Sequence, residues 1–152
     1  MGSLSKGVFA LGLVLTSAFL IQPYRPVIVR GKSMLPTFTD GQLVFASPLN
    51  GAPHVGDVVI VEHDGSTLIK RVAMVPGNTF IEAKTSTSNG WYPVDTAAAK
   101  NLVRKGKILS RRATVPVGVV FITGDNSAQS LDSRAFGYVP ISEIRGVVMS
   151  MS

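Results

Sequence analysis

Residues 58–75, VVIVEHDGSTLIKRVAMV, predict a β-hairpin. The run from Val58 to Val61 is unbroken and β-branched, which is typical of a buried strand. Residues 63–66 are polar and include a glycine, a composition that indicates a tight turn. Residues 67–75 are strand-like again and form the predicted partner strand.

Short strand-like runs, separated by glycine and proline, recur along the rest of the chain. One helix is predicted over 96–105, with Asp95 as its cap and Gly106 as its stop. The segments 84–90 and 124–137 are polar and predict loops. Many short strands with this punctuation predict a mainly β domain. The remaining predicted strands are 26–30, 42–46, 80–82, 119–122 and 138–149.

The composition indicates a single domain with a membrane part. The chain has 152 residues, enough for one core and a short appendage. Its residues are 45% hydrophobic and its mean hydropathy is +0.31, which is high for a soluble domain. The absence of cysteine excludes disulfides, thiolate metal sites and a cysteine nucleophile.

The apolar N-terminal segment predicts a transmembrane anchor. Residues 7–24 carry no charge and follow a short tail, 1–6, leaving 25–152 as the predicted catalytic β domain. A cleavable signal peptide is the alternative, since Thr16-Ser17-Ala18 offers a small-residue site. Bulky Phe19 and Leu20 follow that site, which favours a retained anchor. Basic residues flank both ends, so charge alone leaves the orientation open.

The net charge of +6 is concentrated between residues 100 and 112, a segment without acidic residues. A solvated basic face explains it most simply, and contact with anionic lipid headgroups is a second explanation. No nucleic-acid motif accompanies the segment, and we expect no nucleic-acid partner.

Ser33 and Lys70 are the candidate catalytic pair. Ser33 lies on a loop after a strand-like run, and a serine needs an adjacent base to become a nucleophile. Alternation places Leu68, Lys70 and Val72 on one strand face, so desolvation would lower the pKa of the lysine. An edge strand with Lys70 facing water fits the alternation as well. His54 and His63 are alternative bases, but both fall in predicted turns, where we expect them to be exposed.

Metal chemistry has little support. Asp125, Asp132 and Glu143 show no recognisable ligand spacing with either histidine, and a hydrogen-bonded polar loop explains them better. We expect no metal and no cofactor.

Four segments in order resemble those of type I signal peptidases, the membrane-bound serine/lysine leader peptidases of bacteria, which include mitochondrial inner-membrane relatives. Chain positions 31–37, GKSMLPT, are similar to the nucleophile segment, and 56–59, GDVV, to the strand segment that follows. Positions 70–72, KRV, resemble the general-base segment, and 124–137 resemble the last one. With the anchor, the resemblance covers nearly the whole chain.

The resemblance implies roles for eight residues. Ser33 would be the nucleophile and Lys70 its general base, with the backbone N–H of Ser33 as an oxyanion donor. A serine donor two residues before the nucleophile, present in some members, is replaced here by Gly31. Ser130 would orient the lysine amine, Asp132 and Arg134 would form a bracing ion pair, Asp125 would be structural, and Met34 and Pro36 would shape the substrate cleft.

The resemblance also implies a fold and a setting. The fold would be two antiparallel β-sheets with one N-terminal transmembrane helix, and an apolar surface would rest on the membrane lipid. Substrates would be exported preproteins with small residues at the −1 and −3 positions. We expect a single-pass protein of the bacterial plasma membrane with its catalytic domain outside the cytoplasm; the mitochondrial inner membrane is the alternative.

Three other functions compete with this one. A self-cleaving repressor of the serine/lysine type would be soluble and would carry a DNA-binding helical domain, which fits this chain poorly. A specialised maturation peptidase with few substrates fits the same residues. A non-catalytic anchored module of the same fold also fits, although Ser33 and Lys70 are both present.

Overall fold

The computed structural model describes residues 24–84, 92–93, 97–106 and 108–149. Two antiparallel sheets dominate this part of the chain, as predicted. The strands are β1 (Arg25–Ile28), β2 (Leu43–Ser47), β3 (Val58–His63), β4 (Ser66–Met74), β5 (Thr79–Lys84), β6 (Tyr92–Pro93), β7 (Leu109–Thr114), β8 (Val119–Thr123), β9 (Val139–Pro140) and β10 (Ile144–Val148).

The larger sheet has seven strands in the order β1-β2-β10-β3-β4-β8-β9, and the smaller sheet has the order β6-β5-β7. The predicted hairpin lies inside the larger sheet, because β3 pairs with β10 on one side and β4 pairs with β8 on the other. Its turn places Asp64 at φ 47° and Gly65 at φ 74°, the left-handed conformations that a two-residue hairpin turn of the I′ type requires.

Both faces of β3 are buried, which explains its unbroken apolar sequence. Val58 and Ile60 belong to one apolar cluster, and Val59 and Val61 belong to another. Burying each such side chain contributes about 1.5–3 kcal/mol. The first cluster is completed by Val29, Met34, Val44, Ala46 and Val148, and the second by Val72, Val120, Ile122, Val139 and Ile144.

Helical structure among the described residues is short. Helix α1 (Ala97–Arg104) confirms the predicted helix, whereas its predicted cap, Asp95, lies outside the described residues. The predicted loop 124–137 contains a 3-10 turn (Ser127–Gln129) and helix α2 (Ser133–Phe136), which begins where the Asp132 side chain accepts a hydrogen bond from the Arg134 N–H. A second 3-10 turn covers Ile141–Glu143.

The basic segment 100–112 covers the later part of α1 and the start of β7, a strand that the sequence pattern does not predict. Its described basic side chains are exposed, as a solvated face requires, and Arg111 forms an ion pair with Glu82 of β5. These exposed side chains are Lys100, Arg104, Lys105, Arg111 and Arg112.

The predicted anchor, 7–24, lies outside the described residues apart from Tyr24. Within the described ranges, no helix is long and apolar enough to cross a membrane.

Candidate active site

Ser33 and Lys70 meet in the structure. The Lys70 Nζ donates a hydrogen bond of 2.9 Å to the Ser33 Oγ, across 37 residues of sequence. Ser33 lies on the loop between β1 and β2, whereas Lys70 stands on β4 opposite Val59 of β3. Because β4 is an interior strand and Lys70 is 4% exposed, the alternative of a water-facing edge lysine is wrong.

The surroundings of Lys70 favour a neutral amine. Burial lowers the pKa of Lys70, the negative charge of Asp132 raises it, and the positive charge of Arg134 lowers it again. The net effect is a pKa below the ordinary value for lysine. A neutral amine beside a serine hydroxyl can take its proton, which an ammonium group cannot do.

The Asp132 carboxylate is completely buried and accepts hydrogen bonds from Arg134 and Gly124. Arg134 donates to it through Nε at 2.8 Å and through Nη2 at 2.6 Å, and the Gly124 N–H donates to Oδ2 at 2.9 Å. Burial opposes its ionisation, but the bonds from Arg134 and from backbone N–H groups hold the pKa at about 2. Asp132 and Arg134 thus form an ion pair, and its bracing role in the site stays a prediction.

Ser130 lies beside this pair with its hydroxyl buried. Ser130 Oγ has no partner of hydrogen-bond geometry among the described residues, although it lies near enough to Asp132 to favour the charged carboxylate. No hydrogen bond joins it to Lys70, so its orienting role stays a prediction. Gly124 packs tightly here, since a Cβ on that residue would press against Ser130 and lie 2.6 Å from the Ser33 carbonyl oxygen.

Asp125 is the centre of a second network, and it binds the guanidinium of Arg71 in bidentate fashion, at 2.8 and 2.7 Å. The Thr37 hydroxyl also donates to Asp125, and Arg71 donates to the Gly56 carbonyl at 2.7 Å. The hydrogen bonds from Arg71 lower the pKa of Asp125, and burial opposes them. This network ties together all four segments of the resemblance.

Arg71, Thr37 and Asn126 were not among the predicted site residues. Arg71 directly follows the candidate base, and Thr37 and Asn126 lie within the segments that resemble the family. Their position beside the candidate catalytic residues is the sequence signal that could have found them. Asn126 bonds the nucleophile loop twice: its N–H donates to the Ser33 carbonyl at 2.9 Å, and its Nδ2 donates to the Lys32 carbonyl at 3.0 Å.

The two predicted cleft residues differ in exposure. Pro36 is exposed on the nucleophile loop. Met34 is 1% exposed and packs in the first apolar cluster, so it attaches the nucleophile loop to the apolar core. A groove of about 500 Å³ runs beside Thr37 and Arg71, but neither Ser33 nor Lys70 lines it.

Neither histidine bonds Ser33. His54 is exposed, as predicted, and its side chain lies near Asp57. The prediction of an exposed His63 is wrong, because its side chain is 16% exposed and packs against Phe136. The Nδ1 of His63 lies 2.7 Å from the Glu143 Oε2.

The carboxylates considered for a metal do not converge. Asp125, Asp132 and Glu143 each pair with a different side chain: Arg71, Arg134 and His63, respectively. In the described ranges, no group of three or more potential metal ligands is found.

Comparison with known proteins identifies the family. The chain belongs to the signal peptidase family, peptidase S26, which matches residues 3–152. This membership confirms the predicted resemblance and the predicted enzyme class, a protease of the signal peptidase I type.

The chain is 36% identical to a signal peptidase I of Bacillus amyloliquefaciens, over 76% of this chain and 65% of that protein. It is 30% identical to mitochondrial inner membrane protease subunit 1 of Schizosaccharomyces pombe, over 79% of this chain and 68% of that protein. A solved signal peptidase I from Enterococcus faecalis aligns at 28% identity with a TM-score of 0.43, over 64% of this chain and 97% of that one.

Proposed function

We propose that this chain is a membrane-anchored serine endopeptidase that removes N-terminal signal peptides from exported preproteins. Family membership supports the substrate class, preproteins carrying a signal peptide. The observation that carries the mechanism is the 2.9 Å hydrogen bond between Ser33 Oγ and the amine of buried Lys70.

Ser33 and Lys70 act as nucleophile and base. Neutral Lys70 takes the hydroxyl proton as Ser33 Oγ attacks the scissile carbonyl carbon. The backbone N–H of Ser33 stabilises the oxyanion of the tetrahedral intermediate. The lysine ammonium then gives its proton to the leaving amine, and the signal peptide stays on Ser33 as an ester. A water molecule, deprotonated by Lys70, hydrolyses this ester and regenerates the serine.

Two networks hold this pair in place. The pair of Asp132 and Arg134 sets the charge around Lys70, and Ser130 orients its amine. Asp125 and Arg71 lock the nucleophile loop against β4 through Thr37. The selection of small residues at −1 and −3 of the preprotein is assigned to the surface around Pro36, which is exposed on that loop.

The membrane setting rests on residues 7–24 as a retained anchor and on an apolar patch where the described domain begins. Ile28 of β1 and Leu43 of β2 are cross-strand partners and are 54% and 50% exposed. Such a patch at the start of the domain suits contact with lipid. We place the protein in the bacterial plasma membrane with the domain outside the cytoplasm; the mitochondrial inner membrane is the second choice. The other exposed apolar residues here are Tyr24, Phe45 and Met149.

The test is cleavage of a synthetic preprotein by the full chain in detergent. Ser33→Ala and Lys70→Met are each expected to abolish cleavage after a small residue, and Lys105→Ala, a change to an exposed lysine, should leave the rate unchanged. Cleavage that survives in Ser33→Ala would refute the mechanism. Cleavage of only a few preproteins by the wild type would indicate a specialised maturation peptidase. No reaction of the wild type with any preprotein or serine acylator would indicate a non-catalytic module.

A further inference from the structure

The side chain of Asn126 does not cap the 3-10 turn that it precedes. Asparagine before a helical turn commonly accepts a hydrogen bond from an N–H of that turn. Asn126 precedes the 3-10 turn Ser127–Gln129 and makes no such bond. Its Nδ2 donates instead to the Lys32 carbonyl, 94 residues away in sequence, at 3.0 Å. Its backbone N–H donates to the Ser33 carbonyl at 2.9 Å.

The Lys32 carbonyl and the Ser33 N–H belong to one planar trans peptide group and point in opposite directions. A hydrogen bond that fixes this carbonyl therefore fixes the direction of the Ser33 N–H. Among the described residues, that N–H has no hydrogen-bond acceptor. We infer that Asn126 is a positioning residue for the oxyanion site, because it aims the Ser33 N–H through the Lys32 carbonyl. This inference rests on the proposed function.

The bond also strengthens the donor. A carbonyl that accepts a hydrogen bond polarises its peptide group and makes the N–H of that group a better donor. The Lys32 carbonyl also accepts a hydrogen bond from the Leu35 N–H, but this bond is longer, at 3.3 Å, and holds the carbonyl less firmly. Gly31 has no side chain and therefore supplies no hydroxyl to share the oxyanion charge. The Ser33 N–H therefore bears more of the oxyanion charge than it would beside a serine donor, and kcat depends more strongly on its alignment.

The expected effect is a loss of turnover rather than of substrate binding. Deleting a whole oxyanion donor costs about 10²–10³ in kcat. Asn126→Ala leaves the donor present but unaligned, so we expect kcat to fall by roughly 10- to 100-fold, with KM changed less than about twofold. Asn126→Asp keeps the size of the side chain, lacks the N–H donor and sets a carboxylate against a carbonyl, so its kcat should fall at least as far.

The experiment uses the full chain in detergent with a synthetic preprotein. Gln129→Ala is the matched control, because it removes another amide from the same loop at an exposed position. The second readout is the rate of Ser33 acylation by a β-lactam, followed by intact mass; both Asn126 variants should slow it by a similar factor. Both variants keep the backbone bond from residue 126 to the Ser33 carbonyl, and thermal unfolding reports whether they fold.

The outcomes separate the inference from the proposed function. Wild type that is acylated but cleaves no preprotein refutes the proposed substrate class, and acylation alone then tests Asn126. Folded variants with wild-type kcat and acylation rate overturn the inference, as does a loss confined to KM or an equal loss in Gln129→Ala. Wild type that is neither acylated nor active overturns the inference and the proposed function together.

Discussion

Replacing Asp132 by asparagine should remove a pH-dependent part of the stability of this protein. The side chain is completely buried, and its pKa of about 2 lies below the ordinary value of 3.8. That difference corresponds to about 2 kcal/mol, contributed by the ionised carboxylate. Asparagine keeps the shape but cannot carry the charge that Arg134 and the Gly124 N–H bind.

The sign follows from the lowered pKa. The stabilisation is fully present above the unfolded-state pKa near 4 and is lost as the pH falls toward 2. The pH-dependent part of the difference between wild type and Asp132→Asn should therefore be about 2 kcal/mol at pH 7, roughly half of that at pH 3 and close to zero at pH 2. The assay is urea unfolding of the full chain in nonionic detergent at these pH values.

Asp64→Asn is the matched control, because the Asp64 side chain is 92% exposed and asparagine tolerates the same left-handed backbone. It should change the free energy of unfolding by less than about 0.5 kcal/mol at every pH. The reasoning is refuted if Asp132→Asn is as stable as wild type at pH 7. It is equally refuted if the deficit of Asp132→Asn does not change with pH.

Three further predictions concern the same site. Lys70→Arg should lose cleavage because a guanidinium stays protonated, and the wild-type rate should fall as the pH drops through the lowered pKa of Lys70, as read from the pH–rate profile. Gly124→Ala should cost about 1–3 kcal/mol of stability and most of the activity, since the added methyl presses on Ser130 and the Ser33 carbonyl. Arg71→Lys should cost about 1–2 kcal/mol in urea unfolding, since lysine cannot make the bidentate contact with Asp125.

Each of these predictions has a contrary result. Near wild-type cleavage by Lys70→Arg would exclude a lysine base. Full activity of Gly124→Ala would mean that Ser33 and Ser130 can move apart freely. Unchanged stability of Arg71→Lys would show that the contact with Asp125 is only a surface pair.

The strands were largely predictable because their signals are local. The β-branched run of β3 and the Asp64-Gly65 turn specify a buried hairpin without reference to the rest of the chain, and both were found. Strand β7 was missed because its sequence, LSRRAT, has neither the apolar face nor the β-branched content of a strand. It forms because β5 offers it a six-residue antiparallel register.

Side-chain environments were less predictable because they depend on distant partners. The turn around His63 was correct, but its exposure was not, since Phe136 and Glu143 cover the ring from other segments. The polar loop after β8 contains a helix because the Asp132 side chain caps it, which a polar composition does not show.

The sequence by itself determined the strand class, the hairpin, the apolar N-terminal segment and the family, since each depends on residue types in a fixed order. Only the tertiary structure decided that Lys70 is interior and bonded to Ser33, and that Asn126 reaches the nucleophile loop. Alternation along β4 left Lys70 free to face water or core. The nucleophile loop removes that freedom, because Lys70 is 4% exposed and bonds Ser33 of that loop, whereas an interior antiparallel strand alone can still have one face in water.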